Sequence, residues 1–92
     1  MLTTTHEYGA IQRTLEFAGL DVVACEPGEV ISRVGDRTRI VLVSHLTSAT
    51  ALVLPVAEIC AAARAAGALA IVDGAHAPGQ IPLDVESVGA DV

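Results

Sequence analysis

Residues 40–73 read IVLVSHLTSATALVLPVAEICAAARAAGALAIVD, in which two apolar runs flank a helix-like segment. The first run, Ile40–Val43, is continuously apolar, which is typical of a strand covered on both faces. Pro55 suits the first turn of a helix, and Gly67 suits its end. The apolar face of this helix would contain Val56, Ile59, Cys60 and Ala63. Ala68–Val72 is the next predicted strand, and a helical crossover between two strands predicts that they are parallel.

The first part of the chain shows the same alternation of strand and helix. Met1–Thr4 is the first predicted strand, and a short helix is expected from about Gly9 to Ala18, ahead of Gly19. Val22–Cys25 is predicted to be the next strand. Pro27–Arg37 is expected to be an irregular polar stretch that begins with a turn. This alternation favours an α/β fold with a mainly parallel sheet over a helical bundle or a β-sandwich.

The charge balance excludes several classes of partner. The chain has five Arg, no Lys and eleven Asp or Glu, for a net charge of -6. It therefore lacks the cationic surface that nucleic acids and anionic membranes require. The longest stretch without Asp, Glu, Lys or Arg, Ile40–Ala57, contains the polar segment SHLTSAT, which a bilayer core would disfavour. No signal peptide is visible after Met1, so a cytoplasmic location is expected.

The two cysteines are predicted to be structural. Cys25 and Cys60 lie far apart, outside any CxxC or metal-ligand spacing, and both have apolar neighbours. A thiol in such surroundings usually behaves as a small hydrophobic group. We expect two buried free thiols.

Polar residues follow the two predicted strands of residues 40–73. Ser44–Ser48 reads SHLTS, and Asp73–Gly79 reads DGAHAPG. Ligands of open parallel sheets bind beyond the carboxyl ends of the strands. A lone carboxylate at Asp73 would be costly to desolvate, so it needs a cation, backbone N–H groups or a protonated ligand nitrogen. An ordinary turn role before Gly74 is an equally good reading of Asp73 by residue type alone.

These motifs carry a family resemblance. Arg39–Val92, with VDGAHAPGQ some thirty residues after SHLTS, closely resembles the central part of class V aminotransferase-fold enzymes, especially the isopenicillin N epimerase-like branch. TTTHEYGA at residues 3–10 is similar to the family segment that places a ring over the cofactor. The resemblance implies a fragment of the large domain of a fold type I enzyme that binds pyridoxal 5'-phosphate (PLP). Residues 1–92 would then be the incomplete central part of this three-layer α/β sandwich.

The resemblance also implies site residues for PLP. Asp73 would pair with the pyridinium nitrogen, which keeps the ring able to accept electrons. His76 would lie near the phenolic oxygen, and Tyr8 would stack on the pyridine face. Ser48, with Thr47 beside it, would make a small polar contact to cofactor or substrate. The parent enzyme would be a homodimer that acts at the α-carbon of an amino acid.

Tyr8 and Ser48 also have simpler interpretations, as do the histidines at positions 45 and 6. Tyr8 could pack over the core, since aromatic side chains more often do so than stack on a cofactor. Ser48 could be an ordinary loop residue that bonds to its own backbone. His45 is expected to order its loop, and His6 is expected to be solvated.

The sequence also departs from the family pattern. It has no lysine, whereas these enzymes hold PLP as a Schiff base to a Lys that also moves the substrate proton. The family places that Lys beyond Val92 and a glycine-rich phosphate turn before Met1, so the chain is expected to contain no catalytic residue and to be inactive alone. Ala51 replaces a Gly that relatives usually have. Pro27–Arg37 looks shorter than in relatives and is expected to have lost a helix.

Other readings remain open at this point. His45, Asp73 and His76 could form a two-histidine, one-carboxylate metal site. The chain could also be a catalytically silent remnant. Within the PLP family, His76 in place of the Gln of cysteine desulfurases favours epimerase-like or kynureninase-like chemistry.

Overall fold

The protein folds as a parallel sheet flanked by helices, and the computed structural model describes residues 1–92. The strands are β1 (Leu2–Thr4), β2 (Val23–Cys25), β3 (Ile40–Ser44) and β4 (Leu69–Asp73). The α-helices are α1 (Gly9–Phe17), α2 (Val30–Arg33), α3 (Val56–Ala65) and α4 (Val85–Val88). All four strands are parallel, in the order β2-β1-β3-β4. The predicted α/β fold with a mainly parallel sheet is confirmed.

Helix α3 forms where its apolar spacing predicts it. Its buried residues are Val56, Ile59, Cys60 and Ala63, the predicted face. Pro55 occupies the N-cap position, and Gly67 follows the helix with a φ of 70°, a backbone conformation that favours glycine. The crossover from β3 through α3 to β4 joins parallel strands, as expected.

The core lies on one face of the sheet, under α2 and α3. The cluster of 12 buried residues comprises Leu2, Cys25, Val30, Val41, Val43, Leu54, Val56, Ile59, Cys60, Ala63, Ala68 and Ala70. Both cysteines are buried free thiols, as predicted, and burial raises the pKa of each. These side chains hold β3 and β4 in register, which fixes the strand ends where the polar loops begin.

Pro27–Arg37 is more ordered than predicted. Pro27–Glu29 forms a 3₁₀ turn that leads into the one-turn helix α2, and Val30 is fully buried in the core. The prediction of an irregular stretch was therefore wrong. Val30, Ile31 and Val34 are apolar, but one pair at the i, i+4 spacing, Val30 and Val34, is too short a repeat to predict a helix.

The second face of the sheet is only partly covered. Helix α1 buries Leu15 alone, and Leu15 lines a groove together with Thr3 and Ala24 of the neighbouring strands. Ile40 and Leu42 of β3 are half-buried on this face, so the expectation of a strand covered on both faces was wrong for this chain. The one helix beside this face, α1, is short and buries only Leu15.

The strand order creates a switch point between β1 and β3. From β1 the chain moves to β2 on one side, and after α2 it returns to β3 on the other side. In open α/β sheets, ligands bind at such a switch point, beyond the carboxyl ends of the strands.

None of the helices combines the length and apolar character that crossing a bilayer requires.

Candidate functional site

The predicted site residues follow three neighbouring strands. Tyr8 comes after β1, Ser48 after β3, and Asp73 and His76 at the end of β4. Since β1, β3 and β4 are adjacent and parallel, all four residues belong to one edge of the sheet. This edge contains the switch point.

Asp73 ends β4 with a half-buried side chain. Its Oδ1 accepts a hydrogen bond from the Ala75 backbone N–H at 2.9 Å. This contact is the turn role that residue type suggests. The other carboxylate oxygen has no hydrogen bond within the chain, and no cationic side chain pairs with it. One oxygen therefore remains available to a ligand.

The loop after Asp73 leaves His76 exposed. A hydrogen bond of 3.0 Å from the Ala77 N–H to the Gly74 carbonyl closes the turn. Ala77 is fully buried and anchors the turn against the protein. His76 makes no hydrogen bond within the chain, so its imidazole is free to contact a ligand at this edge.

Tyr8 does not pack in the core, because 58% of it is exposed. It occupies the N-cap position of α1 without a side-chain capping bond. The interpretation of Tyr8 as a core-packing aromatic is therefore wrong.

Ser48 is exposed in a loop that its neighbours order. The buried Thr47 accepts a hydrogen bond at Oγ1 from the Leu52 N–H at 2.8 Å, and this oxygen lies 2.8 Å from Thr50 Oγ1. Ala51 has a φ of 52° and is the one residue other than glycine in the left-handed region. The structure thus places a glycine-like conformation where the family resemblance expects Gly.

Glu7 is a site-edge residue that sequence reasoning missed. Only 6% of Glu7 is exposed, and both carboxylate oxygens accept hydrogen bonds from buried hydroxyl groups. Thr4 donates to Oε1 at 2.6 Å, and Ser44 donates to Oε2 at 2.5 Å. The available signal was a carboxylate three residues after a threonine-rich strand, where burial requires hydroxyl partners.

His6 is less solvated than predicted. It is half-buried, with Nδ1 at 2.9 Å from Thr50 Oγ1 and Nε2 at 3.6 Å from the Glu26 carboxylate. The partners come from β3 and β2 loops that are distant in sequence, which local composition does not reveal. His6 therefore links the loop after β1 to the loop after β3, and Glu7 links the same loop to the end of β3.

The alternative metal site is not assembled. No group of three His, Cys, Asp or Glu side chains in the chain is arranged to hold a metal ion. His45 instead orders its loop through its backbone, which accepts from the Leu54 N–H and donates to the Asp73 carbonyl, each at 2.9 Å. A groove of about 250 Å³ beside His45 is lined by Pro55, Asp84 and others but by none of the predicted PLP residues. At the site edge, Tyr8, Ser48 and His76 are exposed and Asp73 is half-buried.

Comparison with known proteins identifies the family. Residues 13–92 match the model of the aminotransferase class-V family. The chain belongs to this family.

Its relatives include isopenicillin N epimerases and a probable cysteine desulfurase. Isopenicillin N epimerase of Streptomyces clavuligerus is 44% identical over 70 residues, which is 72% of this chain and 18% of that enzyme. The isopenicillin N epimerase of Amycolatopsis lactamdurans is also 44% identical, over 71% of this chain and 17% of its own length. A probable cysteine desulfurase of Methanothermobacter thermautotrophicus is 39% identical over 72% of this chain and 16% of its own length. The chain thus spans less than a fifth of these relatives.

The solved structures agree on the fold. The cystine C-S lyase C-DES, in complex with its product cysteine persulfide, superposes with a TM-score of 0.79 and 28% identity over 98% of this chain and 28% of that chain. A lysine-to-alanine variant of C-DES, matched to the same extent, contains glycine covalently linked to PLP. Members of the family therefore bind PLP, and the predicted resemblance to class V aminotransferases is confirmed.

Proposed function

We propose that this chain forms one wall of the PLP site in an enzyme that acts at the α-carbon of an amino acid, with epimerase-like chemistry. The observation that carries the proposal is the free carboxylate oxygen of Asp73 at the end of β4. A half-buried carboxylate without a cationic partner favours a ligand that brings a proton or a positive charge. The protonated pyridine nitrogen of PLP is such a group.

The remaining residues fit a cofactor of this chemistry. Asp73 would hold the proton on the ring nitrogen, and His76 would contact the phenolic oxygen. Tyr8, exposed at the start of α1, would cover one face of the ring, and Ser48 would offer a hydroxyl to cofactor or substrate. When bound, PLP would supply an electron sink for negative charge at the substrate α-carbon.

In this proposal the chain is inactive alone. Its five cationic side chains are all Arg, so it has no side-chain amine to hold PLP or to move the substrate proton. The complete site would require residues from the remainder of a full-length enzyme, which we take to be a homodimer.

Epimerase-like chemistry is preferred to desulfurase chemistry because the epimerases share 44% identity with the chain, against 39% for the desulfurase of Methanothermobacter thermautotrophicus.

A chimera tests this proposal. Residues 1–92 would replace the structurally corresponding segment of the Streptomyces clavuligerus epimerase, and epimerisation would be assayed with Asp73 or with Asp73→Asn. Asn keeps the shape but cannot stabilise the ring proton, so we expect kcat to fall by about tenfold or more while PLP is retained.

Asp84 offers a matched control. Its carboxylate accepts from the Glu86 and Ser87 backbone N–H groups, and Asn is an equally good N-cap residue, so Asp84→Asn should leave kcat unchanged. Unchanged kcat in Asp73→Asn would overturn the proposal and leave Asp73 as a turn residue.

A further inference from the structure

We infer that Glu7 is a positioning residue, whose carboxylate ties the loop after β1 to the end of β3 and thereby holds Tyr8 at the site edge. The hydrogen bonds of the Glu7 carboxylate, called the tie below, are observed in this structure. The role of Tyr8 in covering the PLP ring rests on the proposed function.

The tie consists of three buried polar groups, and the Thr4 hydroxyl also accepts from the His6 N–H at 3.2 Å. Thr4, Ser44 and Glu7 are all buried, and the two hydroxyl groups donate to different oxygens of the one carboxylate. No cation pairs with Glu7. No buried side-chain nitrogen or oxygen in the protein lacks a hydrogen-bond partner. Loss of either hydroxyl–carboxylate hydrogen bond is costly, because the Glu7 carboxylate would stay buried with one oxygen unsatisfied.

The tie spans the switch point of the sheet. Thr4 is the last residue of β1, and Ser44, which lies 37 residues after Glu7, is the last residue of β3. Glu7 bonds to both, so its backbone is fixed relative to two neighbouring strands. The following residue, Tyr8, therefore starts α1 from a fixed point.

The Tyr8 side chain is largely exposed and makes no hydrogen bond, so core packing does not hold it. The other side-chain links of this loop, from His6 to Thr50 and from Thr5 to Glu26, are exposed to solvent and compete with water. The Thr5 N–H also donates to the Cys25 carbonyl, but this bond joins the loop to β2. Of the links that join the loop to β3 and the segment after it, the buried Glu7 contacts are thus the stronger restraint on the position of Tyr8.

The sequence provides a direct probe of this loop. The chain has one tyrosine and no tryptophan, so its ultraviolet-excited protein fluorescence reports Tyr8 alone. Time-resolved anisotropy of Tyr8 in the 92-residue chain, without PLP, measures the nanosecond motion of the loop. In Glu7→Ala we expect the amplitude of the fast decay to rise about twofold, since the loop would be released from β3.

Conservative and neutral variants separate positioning from general stability. In Glu7→Gln the amide can accept from one hydroxyl and donate to the other, so Tyr8 should remain near its wild-type order. Glu16→Ala, on an exposed position of α1, should leave Tyr8 unchanged. Ile59→Val lowers stability through the core far from the loop. If it mobilised Tyr8 as much as Glu7→Ala, the inference would be wrong.

The inference can fail in two further ways. A folded Glu7→Ala variant with unchanged Tyr8 anisotropy would overturn it. If Glu7→Ala loses its circular dichroism signal, Ser44→Ala decides instead, because it removes one hydrogen bond and leaves the carboxylate bonded to Thr4. Ser44→Ala should then raise the fast amplitude by a smaller factor, and no change would reject the inference.

The chimera distinguishes this inference from the proposed function. There, Glu7→Ala should raise the Kd for PLP while kcat at saturating PLP stays nearly unchanged, because ring stacking is weakened and Asp73 is intact. If Tyr8 is mobilised in the 92-residue variant but Asp73→Asn leaves chimera turnover unchanged, the proposed function fails and the tie stands. If Asp73→Asn lowers turnover but Glu7→Ala alters neither Tyr8 motion nor the Kd for PLP, the inference about Glu7 is wrong and the proposed function stands.

Discussion

Ser44 and Asp73 lie opposite each other at the last positions of β3 and β4, yet their side chains bond in different directions. Ser44 donates to Glu7, which comes from the loop after β1, whereas Asp73 accepts from the N–H of Ala75 in its own loop. The backbone joins the two ends, since the His45 N–H donates to the Asp73 carbonyl at 2.9 Å. The edge is therefore held across three strands while one Asp73 oxygen stays free.

The first prediction concerns Ser44→Ala. Removal of the hydroxyl leaves one oxygen of the buried Glu7 carboxylate without its donor. We expect the free energy of unfolding to fall by about 1–3 kcal/mol. Urea titration followed by circular dichroism measures this change. Ser32→Ala is the control, because the exposed Ser32 hydroxyl makes one bond, to the Glu29 carbonyl, that water can replace. Equal losses in the two variants would contradict the prediction.

The second prediction concerns Ala51, whose φ of 52° is a conformation that costs an L-residue energy and costs glycine none. Ala51→Gly should stabilise the protein by about 0.5–1 kcal/mol, after allowance for the greater entropy of glycine in the unfolded chain. Ala61→Gly, in the exposed interior of α3, should destabilise it by about 1 kcal/mol. Thermal unfolding of both variants tests the contrast, and a lower Tm for Ala51→Gly would contradict the prediction.

The sequence predicts the elements that have strong periodicity and misses the contacts between distant loops. The buried face of α3 could be predicted from the sequence because its four apolar residues recur at helical spacing. The burial of Val30 could not be predicted, because its one helical pair, with Val34, is too short a repeat to indicate a buried face. Glu7 and His6 were missed for a different reason. Their partners Ser44 and Thr50 lie 37 and 44 residues away, and only the strand order brings them together.

In the candidate site, too, the sequence predicts which residues lie together but not the contacts that hold them. The resemblance and the rule for strand ends assign Asp73, His76, Tyr8 and Ser48 to one edge, and the strand order is consistent with this assignment. Their roles toward PLP remain predictions. What the sequence does not reveal is how the edge is held together, because hydroxyl–carboxylate contacts depend on tertiary geometry.

The third prediction concerns pH. Burial raises the pKa of the Cys25 and Cys60 thiols in the folded state, so the unfolded state loses these protons first as pH rises. The stability they contribute is fully present below the unfolded thiol pKa, about 8.5, and is lost as pH rises toward the folded value. The free energy of unfolding should therefore fall above about pH 8.5. Denaturant titrations at several pH values measure this slope. A Cys25→Ala, Cys60→Ala double variant should show a flatter profile, and an identical profile would contradict the prediction.

The fourth prediction concerns covalent labelling. Incubation with PLP followed by borohydride reduction should label no internal residue, because the chain contains no lysine ε-amino group. The α-amino group of Met1 is the one aliphatic amine available. Peptide mass spectrometry locates any label, and acetylation of Met1 should abolish it. Stable labelling at an internal residue would contradict the prediction.

The last prediction is that the chain self-associates through the partly covered face of its sheet. Phe17 at the end of α1 is 95% exposed, and Leu69 at the start of β4 is also exposed. Bare apolar side chains beside a half-covered sheet favour association, since contact removes them from water. Sedimentation velocity over a range of concentrations should show a species that grows with concentration. Phe17→Glu should shift it toward monomer, whereas Ala61→Glu, which adds the same charge on α3, should not. A concentration-independent monomer with a cooperative thermal transition would show that the described core suffices for a stable single molecule.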